Sequence, residues 1–252
     1  MAALACCAFA LLLWTGGGEA AGSAGTAGMQ PRGPAWSELE KRYDGVFVLS
    51  ASRQTRKVAL TFDDVPDPRY TGYVLDTLKR KKVRATFFVV GYRAAAHPEL
   101  VKRMVKEGHV VGNHSYNHPD FSKIRRLDRV QEQIVRTERI IRKQTGYAPR
   151  LFRPPYGEIR PVQLEWAKAH GYTVVNWDVD SKDWRQLSKA QIMANVTGAI
   201  RPGSIVLLHA GGGVGQRLWG TVGALPELID WLRSHGYEPV TLADLLDVPA
   251  GK

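Results

Sequence analysis

From residue 45 onward, short apolar runs rich in Val, Ile and Phe alternate with amphipathic stretches, and most runs are followed at once by an ionisable residue. Alternation of this kind is the pattern of βα units laid into a parallel sheet. The expected strands are Val46–Leu49, Val58–Phe62, Ala85–Val90, His109–Gly112, Arg150–Phe152, Thr173–Trp177, Ser204–Leu208 and Pro239–Val240. Between them, Ser122–Gln144 is the clearest helix, with Ile124, Leu127, Val130, Ile134, Ile140 and Ile141 at helical steps and Gly146 as its stop. Tyr73–Lys81, Pro98–Glu107, Pro161–His170, Lys189–Ile200 and Leu225–His235 are the others. No composition break splits 45–247, so one α/β domain is expected there.

The ionisable residues at the strand ends narrow the architecture. They are Asp63 and Asp64, then His114 and His118, then Arg153, then Asp178, Asp180 and Asp183, then His209. A (β/α) barrel takes its functional groups from the carboxyl ends of several strands, whereas a doubly wound sheet gathers them at one crevice. Ionisable residues after five strands favour the TIM-like barrel.

The amino terminus reads differently. Ala2–Trp14 is apolar and is followed by Gly/Ala/Ser-rich sequence, as in the h-region and cleavage region of a secretory signal, though no basic n-region precedes it. Residues 1–30 are therefore expected to be a signal peptide or an amino-terminal anchor with its linker, and the protein to be secreted or associated with the cell envelope. Both cysteines, Cys6 and Cys7, fall inside this segment, so the folded domain has no disulfide framework and no thiolate ligand. The formal charge is +11; residues 1–30 carry one acid, Glu19, and no base, so the remainder carries one more, +12. Such a surface attracts an anionic wall polymer or membrane surface. The basic residues lack the interleaved aromatics of a nucleic-acid site, and no nucleic-acid partner is expected.

Thr61-Phe62-Asp63-Asp64 ends a strand on two carboxylates. Successive strand residues point to opposite faces, so one carboxylate can hold a metal while the other handles protons; the plainer alternative is a polar strand end. His114-Ser115-Tyr116-Asn117-His118 spaces two imidazoles four apart, which on a helical turn shares a face. With one Asp they make a two-His, one-carboxylate set suited to zinc or another divalent first-row ion. Such an ion favours hydrolysis by polarising a carbonyl and lowering the pKa of water. The second Asp is the candidate base, Arg153 can hold it by a charge-assisted hydrogen bond, and His209 is the candidate acid.

Together, Thr61-Phe62-Asp63-Asp64, His114-Ser115-Tyr116-Asn117-His118, Arg153-Pro154-Pro155-Tyr156, Asp180-Ser181-Lys182-Asp183-Trp184 and Leu207-Leu208-His209 resemble, in order, the five motifs of the polysaccharide deacetylases. This is the NodB-homology group, carbohydrate esterase family 4. The resemblance implies a distorted, incomplete (β/α) barrel and a divalent ion, Zn2+ or else Co2+, Ni2+ or Mn2+, on Asp64, His114 and His118. It further implies Asp63 as general base steadied by Arg153, the Tyr156 N–H at the oxyanion, and His209 as acid oriented by Asp180. Trp184 and Leu207 would line the acetyl pocket. Spacing alone leaves Asp178, Asp180 and Asp183 all open as the partner of His209.

Two features depart from the simplest reading. Val65-Pro66 stands where the family commonly has Gly-Pro, and a β-branched residue resists angles that glycine allows, so the carboxylate loop is expected to differ in shape. The Ala210-Gly211-Gly212-Gly213 run is either a flexible loop opening the cleft or a plain surface loop. The expected activity is N-deacetylation of a cell-wall glycan or chitin oligomer. The alternatives are an acetylxylan-type O-deacetylase and a catalytically impaired carbohydrate-binding protein on the same scaffold. The sequence leaves the oligomeric state open.

Overall fold

A computed structural model describes residues 35–252; the expected signal or anchor segment and its linker, residues 1–30, lie outside the described residues. In chain order the elements are α1 (Trp36–Arg42), β1 (Phe47–Val48), β2 (Lys57–Val65), α2 (Thr71–Lys81), β3 (Thr86–Val89), α3 (Gly91–Ala96) and α4 (Pro98–Lys106). Then come β4 (Val110–Asn113), α5 (Leu127–Thr145), β5 (Leu151–Phe152), α6 (Pro161–Ala169), β6 (Thr173–Val175), β7 (Val179–Asp180) and α7 (Lys189–Thr197). The chain closes with β8 (Ile205–His209), α8 (Trp219–Ser234), β9 (Glu238–Val240) and α9 (Leu242–Leu246). No helix among the described residues is long and apolar enough to cross a membrane.

All the strands pair in parallel, in the order β1-β6-β5-β4-β3-β2-β8-β7, with β9 on the amino half of β2. The sheet curls into a barrel whose ladder is incomplete. Between its ends, the Ala51 N–H donates to the Gly203 carbonyl at 2.8 Å and Ser50 forms an isolated bridge with Ser204. Each expected strand is present with ends shifted by up to three residues, and β7, two residues long, is additional. So short a strand leaves no periodic signal to read.

Strand alternation sorts the side chains. On β2, Val58, Leu60 and Phe62 face outward into one cluster with Val74, Leu75 and Leu78 of α2 and Leu228, Ile229 and Leu232 of α8. A second outer cluster joins Phe47, Phe152 and Val174 to Leu39 of α1, Ile134 of α5 and Leu164 of α6. The intervening residues Ala59, Phe88, Leu151, Val175 and Ile205 point inward and meet Leu242 and Leu245 of α9. The barrel is thus filled with hydrocarbon at its amino end, where β9 and α9 sit. Thr61, Asp63, Leu207 and His209 continue the inward rows, so the polar groups fall at the carboxyl end, as the sequence pattern requires.

Helix ends show where local signals misled. α5 begins at Leu127 rather than Ser122, because Asp120 caps a separate short turn, Phe121–Lys123, and Arg126 is extended. α8 begins at Trp219, six residues before the expected start at Leu225, and carries Pro226 inside it. Proline suits a first turn, but here it is the eighth residue of the helix. The short helices α1, α3 and α9 are too brief to show a period of 3.6.

Interior space sets a limit at Gly112, whose partner in the β3–β4 register is Phe88. A Cβ there would lie 2.7 Å from two atoms of the Phe88 ring and 3.2 Å from the Leu151 carbonyl oxygen. Gly112→Ala is expected to cost about 1–3 kcal/mol by overpacking. A lowered urea midpoint at unchanged m-value would show it; a midpoint equal to the native protein's would contradict this account of the interior.

Candidate active site

Five strand ends supply the site, and β2 supplies its centre. The pairing of β2 with β3 shifts register between Phe62 and Val65, and Asp64 takes a left-handed φ of 64°. A regular strand would have sent the two adjacent carboxylates to opposite faces. The irregularity instead brings both to one place: Asp63 Oδ2 and Asp64 Oδ1 each lie 3.7 Å from His114 Nε2. The loop does not suffer from Val65. The left-handed position is Asp64, while Val65 is fully buried in the outer core and pairs with Val89 of β3.

Arg153, which follows β5, enters the barrel with no solvent exposure. Its Nη1 donates to Asp63 Oδ1 and Thr61 Oγ1, both at 2.8 Å, its Nε to the Val175 carbonyl at 2.9 Å and its Nη2 to the Asn176 carbonyl at 3.0 Å. Its guanidinium lies 4.2 Å from the Phe88 ring centre. Burial raises the Asp63 pKa above the ordinary carboxylate value, and Arg153 opposes that without reversing it. Burial thus makes this carboxylate a stronger proton acceptor than an exposed one, while Arg153 favours its charged form.

The two histidines reach their positions without a helix. Residues 114–118 are irregular, with Ser115 and His118 left-handed at φ 65° and 61°. Gln133 of α5 holds this loop by accepting from the Tyr116 and Asn117 N–H groups at 3.0 Å each, and the Gly91 N–H donates to the Ser115 carbonyl. His118 Nε2 comes within 3.3 Å of Asp64 Oδ1. His114 Nδ1 donates to the Arg153 carbonyl at 2.7 Å, which leaves its Nε2 lone pair facing the carboxylates. Burial lowers the His114 pKa to about 3, so the imidazole is neutral.

One ligand atom from each of Asp64, His114 and His118 lies within 4.8 Å of the other two. Donors about 2.0–2.1 Å from a tetrahedral Zn2+ stand roughly 3.4 Å apart, which the 3.3 and 3.7 Å separations match. Two neutral-capable imidazoles, one carboxylate and a fixed tautomer are the chemistry of a divalent first-row ion, and the residues fit one.

His209 ends β8, beside Asp63 in the sheet register. Its partner is Asp183 and not Asp180: Asp183 Oδ1 is 2.7 Å from His209 Nδ1, and Asp183 Oδ2 accepts from the His209 N–H at 2.8 Å and from Thr221 Oγ1 at 2.7 Å. The left-handed Lys182, φ 56°, starts a tight turn at Asp183–Arg185 that carries Asp183 back to His209. Asp180 caps that turn, accepting from the Lys182 N–H at 2.7 Å and from Trp184 Nε1 at 3.4 Å. Asp178 is structural, held by Arg53, Ser204 and the Ile205 N–H. Burial alone would lower the His209 pKa, but the Asp183 carboxylate, helped by the charges of Asp64 and Asp63, outweighs it and pushes the value up to about 9.

Around these groups stand Leu207, buried and inward-facing, and Trp184 and Tyr156, both partly exposed. Tyr156 has a left-handed φ of 61°, and its ring meets His118 edge-on at 4.7 Å. The Gly211–Gly213 run is pinned. A Cβ on Gly211 would lie 2.0 Å from the Asp64 carbonyl oxygen, so only glycine lets this loop pass the carboxylates. Asp67, buried, binds Arg69 at 2.7 Å and the Gly212 N–H at 3.3 Å, and Arg93 donates to the Gly212 carbonyl at 2.6 Å. The Asp67, Arg69 and Arg93 cluster escapes a reading of the sequence, because nothing at residues 67–93 signals a contact with residue 212.

Residues 50–175 match the family model for polysaccharide deacetylase. The chain is 43% identical over 199 residues to a peptidoglycan-N-acetylglucosamine deacetylase of Bacillus cereus, covering 79% of this chain and 71% of that protein. It is 42% identical over 193 residues to a chitooligosaccharide deacetylase of Bradyrhizobium, covering 73% and 88%. Among solved structures, the Bc1960 peptidoglycan N-acetylglucosamine deacetylase superposes with a TM-score of 0.81 at 41% identity, over 86% of this chain and 99% of that one.

The His209–Asp183 pair can be titrated directly. Its pKa lies above the ordinary 6.5, so the protonated pair stabilises the fold fully below pH 6.5 and loses that contribution as pH rises through about 9. The imidazole followed by NMR is expected to titrate near 9, and in Asp183→Asn to fall clearly below that, since only the Asp63 and Asp64 charges then oppose burial. An unchanged midpoint in that variant would contradict the assignment of Asp183.

Proposed function

The chain belongs to the polysaccharide deacetylase family, and from that premise we propose that it removes N-acetyl groups from the amino sugars of peptidoglycan or a chitin-like polymer in a metal-dependent hydrolysis. The observation that carries this reading is the separation of two carboxylates at one point. Both carboxylates reach His114, but Asp64 also comes within 3.3 Å of His118, whereas Asp63 gives its other oxygen to Arg153. A lone acidic strand end needs neither the buried guanidinium nor the fixed imidazole.

Asp64, His114 and His118 would hold the ion, which when bound would supply Lewis acidity to polarise the acetyl carbonyl and lower the pKa of water. Arg153 occupies Oδ1 of Asp63 and leaves Oδ2 to accept a proton from the attacking water. The water oxygen bonds to the carbonyl carbon, and the Tyr156 N–H is the donor assigned to the oxyanion. His209, protonated below about pH 9 and fixed at Nδ1 by Asp183, donates from Nε2 to the sugar nitrogen as the C–N bond breaks. Acetate and a free amine result. Trp184 and Leu207 flank the acetyl methyl. A high acid pKa suits a poor leaving group such as an amine, which favours the amide over the acetyl ester of xylan as substrate. Such polymers lie outside the cytoplasm, and the apolar Ala2–Trp14 stretch supports an exported, envelope-associated protein.

Acetate release by the purified protein from peptidoglycan, chitin oligomers and acetylated xylan tests this reading. The expected result is release from the first two that a chelator abolishes and zinc restores. Release from xylan alone would replace the substrate; metal binding without release from any of them would make the protein a carbohydrate-binding relative.

A further inference from the structure

The +11 charge has a place where it is concentrated. A cavity of about 920 Å³ opens between the carboxyl end of α2 and the length of α4, at the amino ends of β3 and β4. It therefore lies at the opposite end of the strands from Asp63 and His209. Lys79 and Lys82 line one wall, three residues apart, and Lys102 and Lys106 line the other, four apart. All four are exposed, and among the described residues none has an acidic partner within ion-pair distance.

The cavity's two arginines are engaged: Arg84 with Asp244 at 3.2 Å, and Arg103 with Asp76 at 2.5 Å and Glu107 at 2.9 Å. The acids in the lining are Glu99 and Glu107, and Glu99 faces His97 at 3.5 Å. The floor is neutral but not satisfied. His109 is buried, and burial lowers its pKa to about 4. Its Nδ1 accepts from the Ala85 N–H at 3.1 Å, which puts the proton on Nε2, and that donor has no partner. Glu107 Oε2, also without a partner, stands 4.0 Å away, a gap that one water can bridge.

We propose that this groove is a second binding site, for a linear polyanion bearing phosphate groups. Two facing rows of unpaired ammonium groups suit a charged chain running between them. Carboxylates favour the two-pronged arginine fork, and of the two here Arg103 is taken by two acids and Arg84 by one; lysine is a point charge that serves phosphate well. The volume takes several repeat units rather than one ion. Because the groove lies at the far end of the strands, a polymer held there leaves the active-site cleft free. It raises the local concentration of the protein at an anionic wall by tethering. The groove's chemistry is independent of whether the substrate at the other end is an N-acetyl sugar.

Long-chain inorganic polyphosphate is the probe, with binding to the full protein read by fluorescence anisotropy at low and moderate salt. The triple variant Lys82→Glu, Lys102→Glu, Lys106→Glu is expected to weaken binding by about tenfold or more and to flatten its salt dependence. The control triple Arg139→Glu, Arg142→Glu, Lys143→Glu, on the exposed side of α5, changes the net charge equally. It is expected to weaken binding by less than about threefold, as screened long-range attraction does. Deacetylation of a short, uncharged chitin oligomer should be unchanged in the groove variant, which also reports that it folds. Equal losses in the two triples would overturn the site in favour of diffuse attraction. Capture by anionic phospholipid vesicles with no retention of polyphosphate would overturn it in favour of a membrane surface.

Discussion

The fold is built around a buried cation. Taking the Arg153 guanidinium out of water costs several kcal/mol, and an unpaired charge in the barrel would not be tolerated. Its position is stable because every neighbour is arranged for it: Asp63 and Thr61 from β2, the Val175 and Asn176 carbonyls at the end of β6, and the Phe88 ring from β3. Its own carbonyl accepts from His114. One residue therefore fixes a carboxylate on one side and the tautomer of an imidazole on the other. The base and the ion-holding set are two ends of one structural unit.

That unit explains why the hydrocarbon core stops where it does. Small and apolar inward residues, Ala59, Gly112, Val175 and Ile205, fill the amino half of the barrel, and Phe88 closes that layer beneath the guanidinium. Above it, strand ends bend through left-handed residues at Asp64, Ser115, His118 and Tyr156. Non-glycine residues with positive φ are uncommon, and four of them at one site are a sign of backbone held in place by its surroundings. Gly211 against the Asp64 carbonyl and Asp67 beneath Gly212 are part of that surround.

The parallel sheet and the end of the barrel that carries the polar groups were legible in the sequence, since a short apolar run followed by an ionisable residue repeats along the chain. Asp63, Asp64, His114, His118, Arg153 and His209 come together at that end, while the acid paired with His209 is not the one the resemblance implied. Asp183 rather than Asp180 reaches His209, because the left-handed Lys182 reverses the chain, and no pattern in Asp180–Trp184 announces that reversal. The same limit applies to Asp63 and Asp64, which were expected on opposite faces and share one through a register shift. It applies also to the His114–His118 loop, whose spacing imitates a helical turn that is absent. Periodicity reports regular backbone, and active sites are where the backbone is least regular. Val65 looked like a departure but fills a buried position at which glycine's freedom is not used.

The division of labour between the adjacent carboxylates is the centre of this account, and metal stoichiometry measured together with turnover in Asp63→Asn tests it most directly. Asparagine keeps the shape and a hydrogen-bond acceptor for Arg153 but removes the charge that takes the proton. The account predicts metal bound as in the native protein with turnover reduced by about 10²-fold or more. Loss of the metal from a folded variant would make Asp63 a ligand, and native turnover would remove it as the base; either result would contradict the roles assigned here.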